Sequence, residues 1–181
     1  RIRTMIVHQR PPQPEATRQA GERLGVCLAG GSVVLLSGPL GAGKTTFAQG
    51  IGAGLGVSDR MPSPTFTLVR EYRLPRPGED QPGRPVLLYH ADLYRLSAAE
   101  ARDLGLDDLI RDDTAVVVEW ADRAADLPED ALTAPFTLLP DGGRRLRVDA
   151  GGAASRAVLE CFESSGAEGI PQPAARDVPD P

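Results

Sequence analysis

Three short apolar runs punctuate the chain: Val33-Val34-Leu35-Leu36, Val86-Leu87-Leu88-Tyr89 and Ala115-Val116-Val117-Val118. None alternates with polar residues and none is long enough for a buried helix. They read as strands covered on both faces, the pattern of a parallel sheet between helices. Around them the period changes. Ala16, Ala20, Leu24, Cys27 and Leu28 recur at helical spacing from Pro14, which suits a first turn, to the stop at Gly30-Gly31. Phe47, Ala48, Ile51 and Leu55 mark a second helix ending near Gly56. It forms in spite of Gly50, Gly52 and Gly54, each of which costs about 1 kcal/mol against alanine in a helix interior. Residues 68–74 alternate as a half-buried strand, and residues 2–8 read as a short edge strand. Ser97-Ala98-Ala99-Glu100 has the pattern of a capping box, and residues 107–113 form another short helix or turn. Residues 136–139 and 146–148, joined through Asp141-Gly142-Gly143, read as a hairpin, and 153–162 as a last helix.

These elements predict a single α/β domain over residues 1–163. Its mixed, mainly parallel sheet is flanked by helices, with an antiparallel portion at 67–74 and a C-terminal β-hairpin. The Pro/Gly-rich stretch 75–85 is an excursion from the domain, and the small, polar, Pro-rich 164–181 reads as a disordered tail.

Composition alters this picture in two places. At 181 residues, 41% hydrophobic and 25% charged, the chain suits one ordinary buried core. Its net charge of −5 and pI near 5.1 make it a poor candidate for capturing free nucleic acid by charge alone. An indirect role beside RNA, through partners, stays open. Cys27 and Cys161 form no CxxC pair and sit among apolar helical neighbours, so they are expected to be buried or half-buried free thiols. No run approaches the roughly 18 apolar residues of a membrane span. Arg1-Ile2-Arg3-Thr4 lacks a secretory core, so the expected location is the cytoplasm, with no membrane partner.

The candidate chemistry lies at the ends of the apolar runs. The first run leads into Gly38-Pro39-Leu40-Gly41-Ala42-Gly43-Lys44-Thr45 and then a helix, which is the P-loop pattern in its strand–loop–helix context. Its glycines let backbone N–H groups at Gly41, Ala42 and Gly43 approach a triphosphate. Lys44 offers a point charge, Thr45 a hydroxyl for Mg²⁺, and Thr46 the next helical N–H. The second run ends at His90-Ala91-Asp92 and the third at Glu119-Trp120. An acid at a strand end opposite a P-loop is placed to hold a metal or a water, so Asp92 and Glu119 are site candidates; Asp92 is otherwise a turn residue. His90 reads first as a packed, hydrogen-bonded side chain. Trp120 reads as a core-edge aromatic or as a cover for the nucleotide. Between the second helix and the second run, Met61-Pro62-Ser63-Pro64-Thr65-Phe66-Thr67 presents Thr65 and Thr67 as switch hydroxyls or as an ordinary entry loop. Arg144, Arg145 and Arg147 read as a charged edge strand before a nucleotide or RNA contact.

Taken together, the P-loop, Ser63-Pro64-Thr65-Phe66-Thr67-Leu68, His90-Ala91-Asp92-Leu93-Tyr94-Arg95-Leu96 and Val118-Glu119-Trp120 make the chain resemble the bacterial TsaE (YjeE) family, over roughly residues 14–150. The resemblance implies a small P-loop ATPase that binds ATP and Mg²⁺ and joins TsaB and TsaD. That complex installs threonylcarbamoyl on adenosine 37 of tRNAs reading codons that begin with A, so tRNA is met through the complex. It implies metal binding at Thr45 and Glu119, a hydrolysis role for Asp92 and switch contacts from Thr65 and Thr67. It places the base near Thr17 and the hairpin around Gly143. Hydrolysis by the isolated chain is expected to be slow, since no separate arginine finger is evident. The Pro-rich 75–85 stretch and the C-terminal tail depart from the family pattern. A P-loop small-molecule kinase and a binding-only ATP switch remain as alternatives. A kinase would show a lid with arginines and an acceptor pocket; the 75–85 stretch has Arg76 and Arg84 but little else of a lid.

Overall fold

The structure is a computed structural model that describes residues 4–9, 14–58, 61–64, 67–76, 78 and 81–165. In chain order its elements are β1 (Thr4–Gln9), α1 (Pro14–Cys27), β2 (Val33–Ser37), α2 (Lys44–Leu55), β3 (Val69–Arg73), β4 (Leu87–Asp92), α3 (Ala98–Asp103), β5 (Thr114–Glu119), β6 (Leu132–Leu138), β7 (Arg144–Ala150) and α4 (Ala153–Ser165). Single 3-10 turns at Leu106–Leu109 and Ala121–Arg123 flank β5. The strands form one sheet in the order β1-β7-β6-β2-β5-β4-β3. The four central strands β6, β2, β5 and β4 are parallel, while β3 on one side and β7 and β1 on the other run antiparallel to their neighbours. The mixed sheet of the α/β domain is therefore parallel where it carries the P-loop strand and the two acidic strand ends.

The apolar runs occupy the centre for the expected reason. Val33 to Leu36 and Ala115 to Val118 are buried on both faces. Alternate side chains supply two cores. Val34, Leu36, Val117 and Leu132 pack beneath α1, α2 and α4, against Leu24, Phe47, Ile51 and Phe162. Val33, Leu35, Val116 and Val118 face Leu93, Ala101 and Leu106 on the other side. The hairpin strand begins at Leu132, earlier than the expected 136. Leu132, Ala134 and Phe136 are buried and Thr133 and Thr137 exposed, a strand alternation that Pro135 obscures in the sequence. Pro135 takes the last register position against β2.

The glycines of α2 answer glycines of α1. A Cβ on Gly50 would lie 2.0 Å from the carbonyl oxygen of Arg18, and one on Gly54 2.0 Å from that of Glu22. Reciprocally, a Cβ on Gly21 would meet the Phe47 carbonyl at 2.2 Å and one on Gly25 the Ile51 carbonyl at 2.2 Å. The helices approach backbone to backbone, and the propensity lost in α2 permits that closeness. Arg84 fastens the far ends of the pair. Its guanidinium donates to the carbonyls of Val26 (2.7 Å) and Gly54 (3.2 Å), in the last turns of α1 and α2.

The expectation of free thiols is overturned. Cys27 and Cys161 are joined by a disulfide, with Cα atoms 5.7 Å apart across a sequence separation of 134. α4 packs beside α1, with Phe162 in the shared core and Arg23 over its ring at 5.4 Å, and this brings the two cysteines within bridging distance. The helix expected over 153–162 continues to Ser165, so Ser164 and Ser165 belong to α4; the rest of the expected tail lies outside the described residues. The capping box is present, with Ser97 accepting from the Glu100 N–H while the Glu100 carboxylate accepts from Ser97. Among the described residues no helix is long and apolar enough to cross a membrane.

Candidate functional site

β2 delivers the chain into a loop that turns through positive φ at Gly38 (121°), Gly41 (74°) and Gly43 (109°), where a side chain would be strained. Gly43 then caps α2, whose first residues are Lys44, Thr45 and Thr46. Gly41 is exposed, Ala42 buried, Gly43 half-buried and Thr46 half-buried in the first turn of α2. This arrangement presents a helix N-terminus to an anion. Lys44 is buried and donates from Nζ to the carbonyls of Gly38 (2.7 Å) and Pro39 (2.9 Å). Its ammonium also sits 3.7 Å from the centre of the Trp120 ring. Burial pushes the Lys44 ammonium below its usual pKa, against the opposing pull of Glu119, Asp122 and Asp92.

The two candidate acids stand side by side. Asp92 is the last residue of β4 and Glu119 the last of β5, paired in parallel register. Both are buried. Glu119 accepts from Thr45 Oγ1 through Oε2 at 2.8 Å and meets His90 Nε2 through Oε1 at 2.8 Å. Asp92 accepts from Ser63 Oγ through Oδ2 (3.2 Å) and from the Tyr94 N–H through Oδ1 (2.9 Å). The structure thus brings Lys44, Thr45, Asp92 and Glu119 to one end of the sheet. His90 is the packed, hydrogen-bonded side chain that its setting suggests, and its partner is Glu119.

Backbone strain gathers here. Among the described residues, Leu68 (φ 63°) and Trp120 (φ 58°) are the non-glycine residues in the left-handed region. The Leu68 carbonyl accepts from the Asp92 N–H at 2.9 Å, and Trp120 directly follows Glu119. The turn after Glu119 swings the Trp120 ring over Lys44, where it also packs on Tyr94 (4.8 Å) and beneath Arg123 (5.6 Å).

A second group surrounds Gly43. A Cβ there would meet Arg144 Nη1 at 3.2 Å, Thr17 Cγ2 at 3.4 Å and the Phe136 ring at 3.7 Å. Thr17 is therefore at the P-loop. Gly143, whose N–H donates to Asp141 Oδ1 at 3.0 Å, lies in the hairpin turn that sends Arg144 there. Arg144 is the residue that the sequence hides: it falls in a basic run that reads as an edge strand, and only the placement of β7 beside β6, which in turn lies beside β2, carries its guanidinium to the loop. The hydroxyl of Thr67 is engaged in its own turn, donating to the Pro64 carbonyl (3.4 Å) and accepting from Arg70 Nε (3.2 Å). Thr65 lies outside the described residues.

A P-loop implies a metal at this pair. Thr45 and Glu119 offer oxygen only, and among the described residues no group of three or more His, Cys, Asp or Glu is arranged to hold a metal unaided. Such a pair fits Mg²⁺ shared with phosphate oxygens and water, and does not fit a resident all-protein metal site.

Residues 11–145 match the model of the family described as threonylcarbamoyl adenosine biosynthesis protein TsaE. The chain is 40% identical over 134 residues to the tRNA threonylcarbamoyladenosine biosynthesis protein TsaE of Treponema pallidum, covering 73% of this chain and 92% of that protein. It is 35% identical over 160 residues to the protein of the same name from Bacillus subtilis, covering 86% and 92%. The crystal structure of Bacillus subtilis YdiB superposes with a TM-score of 0.70 at 27% identity, over 91% of this chain and 97% of that one.

Proposed function

Because the chain belongs to the TsaE family of threonylcarbamoyl adenosine biosynthesis proteins, we propose that it is the ATP-binding and ATP-hydrolysing member of a cytoplasmic assembly with TsaB and TsaD. That assembly forms threonylcarbamoyladenosine at position 37 of tRNAs reading codons that begin with A, and hydrolysis by this chain supports its turnover. The observation that carries the reading is the direct contact between the P-loop hydroxyl and the strand-end acid, Thr45 Oγ1 to Glu119 Oε2 at 2.8 Å.

In this reading the N–H groups of Gly41, Ala42, Gly43, Lys44, Thr45 and Thr46 receive the phosphates, and Lys44 exchanges its two loop carbonyls for phosphate oxygens. Thr45 and Glu119 would hold Mg²⁺, which would supply charge neutralisation for the phosphates when bound. Asp92 orients the attacking water and accepts its proton. Thr65 and Thr67 answer the γ-phosphate as switch hydroxyls, which for Thr67 requires release from its turn. Thr17 and the hairpin at Gly143 flank the base, with Arg144 adding a cation beside Gly43. Partners reach tRNA on behalf of an acidic chain. The kinase alternative loses support because Arg84, one of the two arginines that 75–85 offers a lid, caps α1 and α2.

The test is steady-state phosphate release from ATP and Mg²⁺, with and without the TsaB–TsaD pair. Slow release alone and strong stimulation by the pair are expected. Nucleotide binding without stimulation would overturn the assembly reading.

A further inference from the structure

His90 is fully buried, and the chemistry above gives it no task. Its Nε2 lies 2.8 Å from Glu119 Oε1, while its Nδ1 is buried without a hydrogen-bond partner. A neutral imidazole carries one N–H, and an ionised carboxylate only accepts. A proton on Nδ1 alone would leave two acceptors facing each other and a buried donor with nothing to receive it. The ring proton therefore belongs on Nε2, where Oε1 takes it. Register holds the ring in place: His90 pairs with Val117 and Asp92 with Glu119, so the imidazole sits two residues back from Asp92, on the same face of β4. An unsatisfied buried Nδ1 is costly, and an apolar side chain of similar volume would avoid that cost.

The geometry points to His90 as a positioning residue for the metal-side carboxylate: its Nε2–H holds Oε1 of Glu119, so that Oε2 is the oxygen presented beside Thr45. The inference rests on the reading of Thr45 and Glu119 as the Mg²⁺-side pair. An N–H donor on one oxygen suits the task because it orients the carboxyl group and leaves the other oxygen beside Thr45.

The experiment is a Mg²⁺ titration of ADP binding in the wild type, H90L, H90Q and E119Q. It is read by the fluorescence of Trp120, the one tryptophan, whose ring lies 3.7 Å from Lys44 Nζ. H90L removes the donor, and H90Q returns an amide N–H at similar reach. The half-saturating Mg²⁺ concentration is expected to rise about 10–100-fold in H90L and to stay near the wild-type value in H90Q, with ADP affinity in chelator the same in H90L and H90Q. H90L behaving as wild type overturns the inference. So does H90Q impaired as much as H90L, which would reduce His90 to packing. If E119Q leaves the Mg²⁺ requirement unchanged, the reading of Glu119 fails and this inference with it; if E119Q shifts it and H90L does not, only the role of His90 fails. Nitrogen NMR of the wild type, where His8 is the only other histidine, reads the tautomer without a variant. Protonated Nε2 is expected, and a proton on Nδ1 alone overturns the inference.

Discussion

Asp92 and Glu119 end neighbouring parallel strands in register, yet no donor is shared between the hydrogen bonds described for them. Glu119 is tied to Thr45 and His90, and Asp92 to Ser63 and the Tyr94 N–H. Hydrogen bonds from separate donors stabilise two neighbouring buried carboxyl groups independently. The separation divides the labour: Glu119 faces the P-loop hydroxyl and Asp92 the segment after α2. Glu119→Gln is expected to raise the Mg²⁺ requirement of turnover. Asp92→Asn is expected to leave nucleotide and Mg²⁺ binding intact and to lower kcat by about 100-fold or more. Single-turnover hydrolysis beside equilibrium binding checks both, and wild-type kcat in Asp92→Asn removes that residue from hydrolysis.

Lys44→Ala separates affinity from stability. The ammonium is buried and its pKa is lowered mainly by that burial, so its loss relieves a desolvated charge. The melting temperature is expected to change little. Nucleotide affinity is expected to fall by about 3 kcal/mol, roughly 100-fold, as two charge-assisted contacts to phosphate are lost. Calorimetric titration that finds near-native affinity would refute the P-loop reading itself.

Gly50→Ala has an inverted expected sign. Alanine in a helix interior ordinarily gains about 1 kcal/mol over glycine. Here the new Cβ would lie 2.0 Å from the backbone oxygen of Arg18, which cannot swing away as a side chain can. The helices must separate, and a net loss of about 1–3 kcal/mol is expected from urea unfolding. Stabilisation in the variant would show that α1 and α2 do not meet this closely.

The bridge between Cys27 and Cys161 closes a long loop, for which about 2–4 kcal/mol of stabilisation is typical. Cys161→Ser, or reductant, is expected to lower the melting temperature without unfolding the chain, because Phe162 stays in the core. Thr17 lies near the other end of α1, about 15 Å along the helix from Cys27. Nucleotide affinity is therefore expected to survive reduction. Identical melting curves with and without reductant would assign the cross-link no stabilising role.

What the sequence announces here is local. The P-loop, the capping box at Ser97 and the acids closing two apolar runs are short-range patterns, because strand, loop and helix constraints act within a few residues. The missed features depend on which elements become neighbours. Gly50 and Gly54 look like weak points of α2 until Arg18 and Glu22 of α1 stand against them. Cys27 looks solitary until α4 packs on α1, and Arg84 looks like one residue of a Pro/Gly-rich excursion until two helix ends meet beside it. Arg144 becomes a site residue only because β7 lies one strand from β6, which lies beside the P-loop strand. Such placements follow from sheet order, which no single segment encodes.

α4 receives its N-terminal cap from a distant residue, and this gives a pH dependence with a defined sign. The Asp130 carboxylate accepts from the N–H groups of Ala154 and Ser155, both at 2.9 Å. Hydrogen bonding from Ser155, side chain and backbone, holds its pKa below the usual 3.8. For an acid whose folded pKa is depressed, the stabilisation is fully present above the unfolded value and is lost as pH falls through the folded one. Asp130→Ala is expected to cost about 1 kcal/mol near neutral pH, as a lost N-cap does, with solvent screening keeping it from the upper range. The gap between wild type and variant is expected to close as pH drops below the folded pKa, where the protonated wild-type residue no longer accepts as a carboxylate. Urea unfolding of both proteins at neutral pH and in acid measures it. A gap that persists undiminished in acid would mean that Asp130 acts through packing, not through its charge at the start of α4.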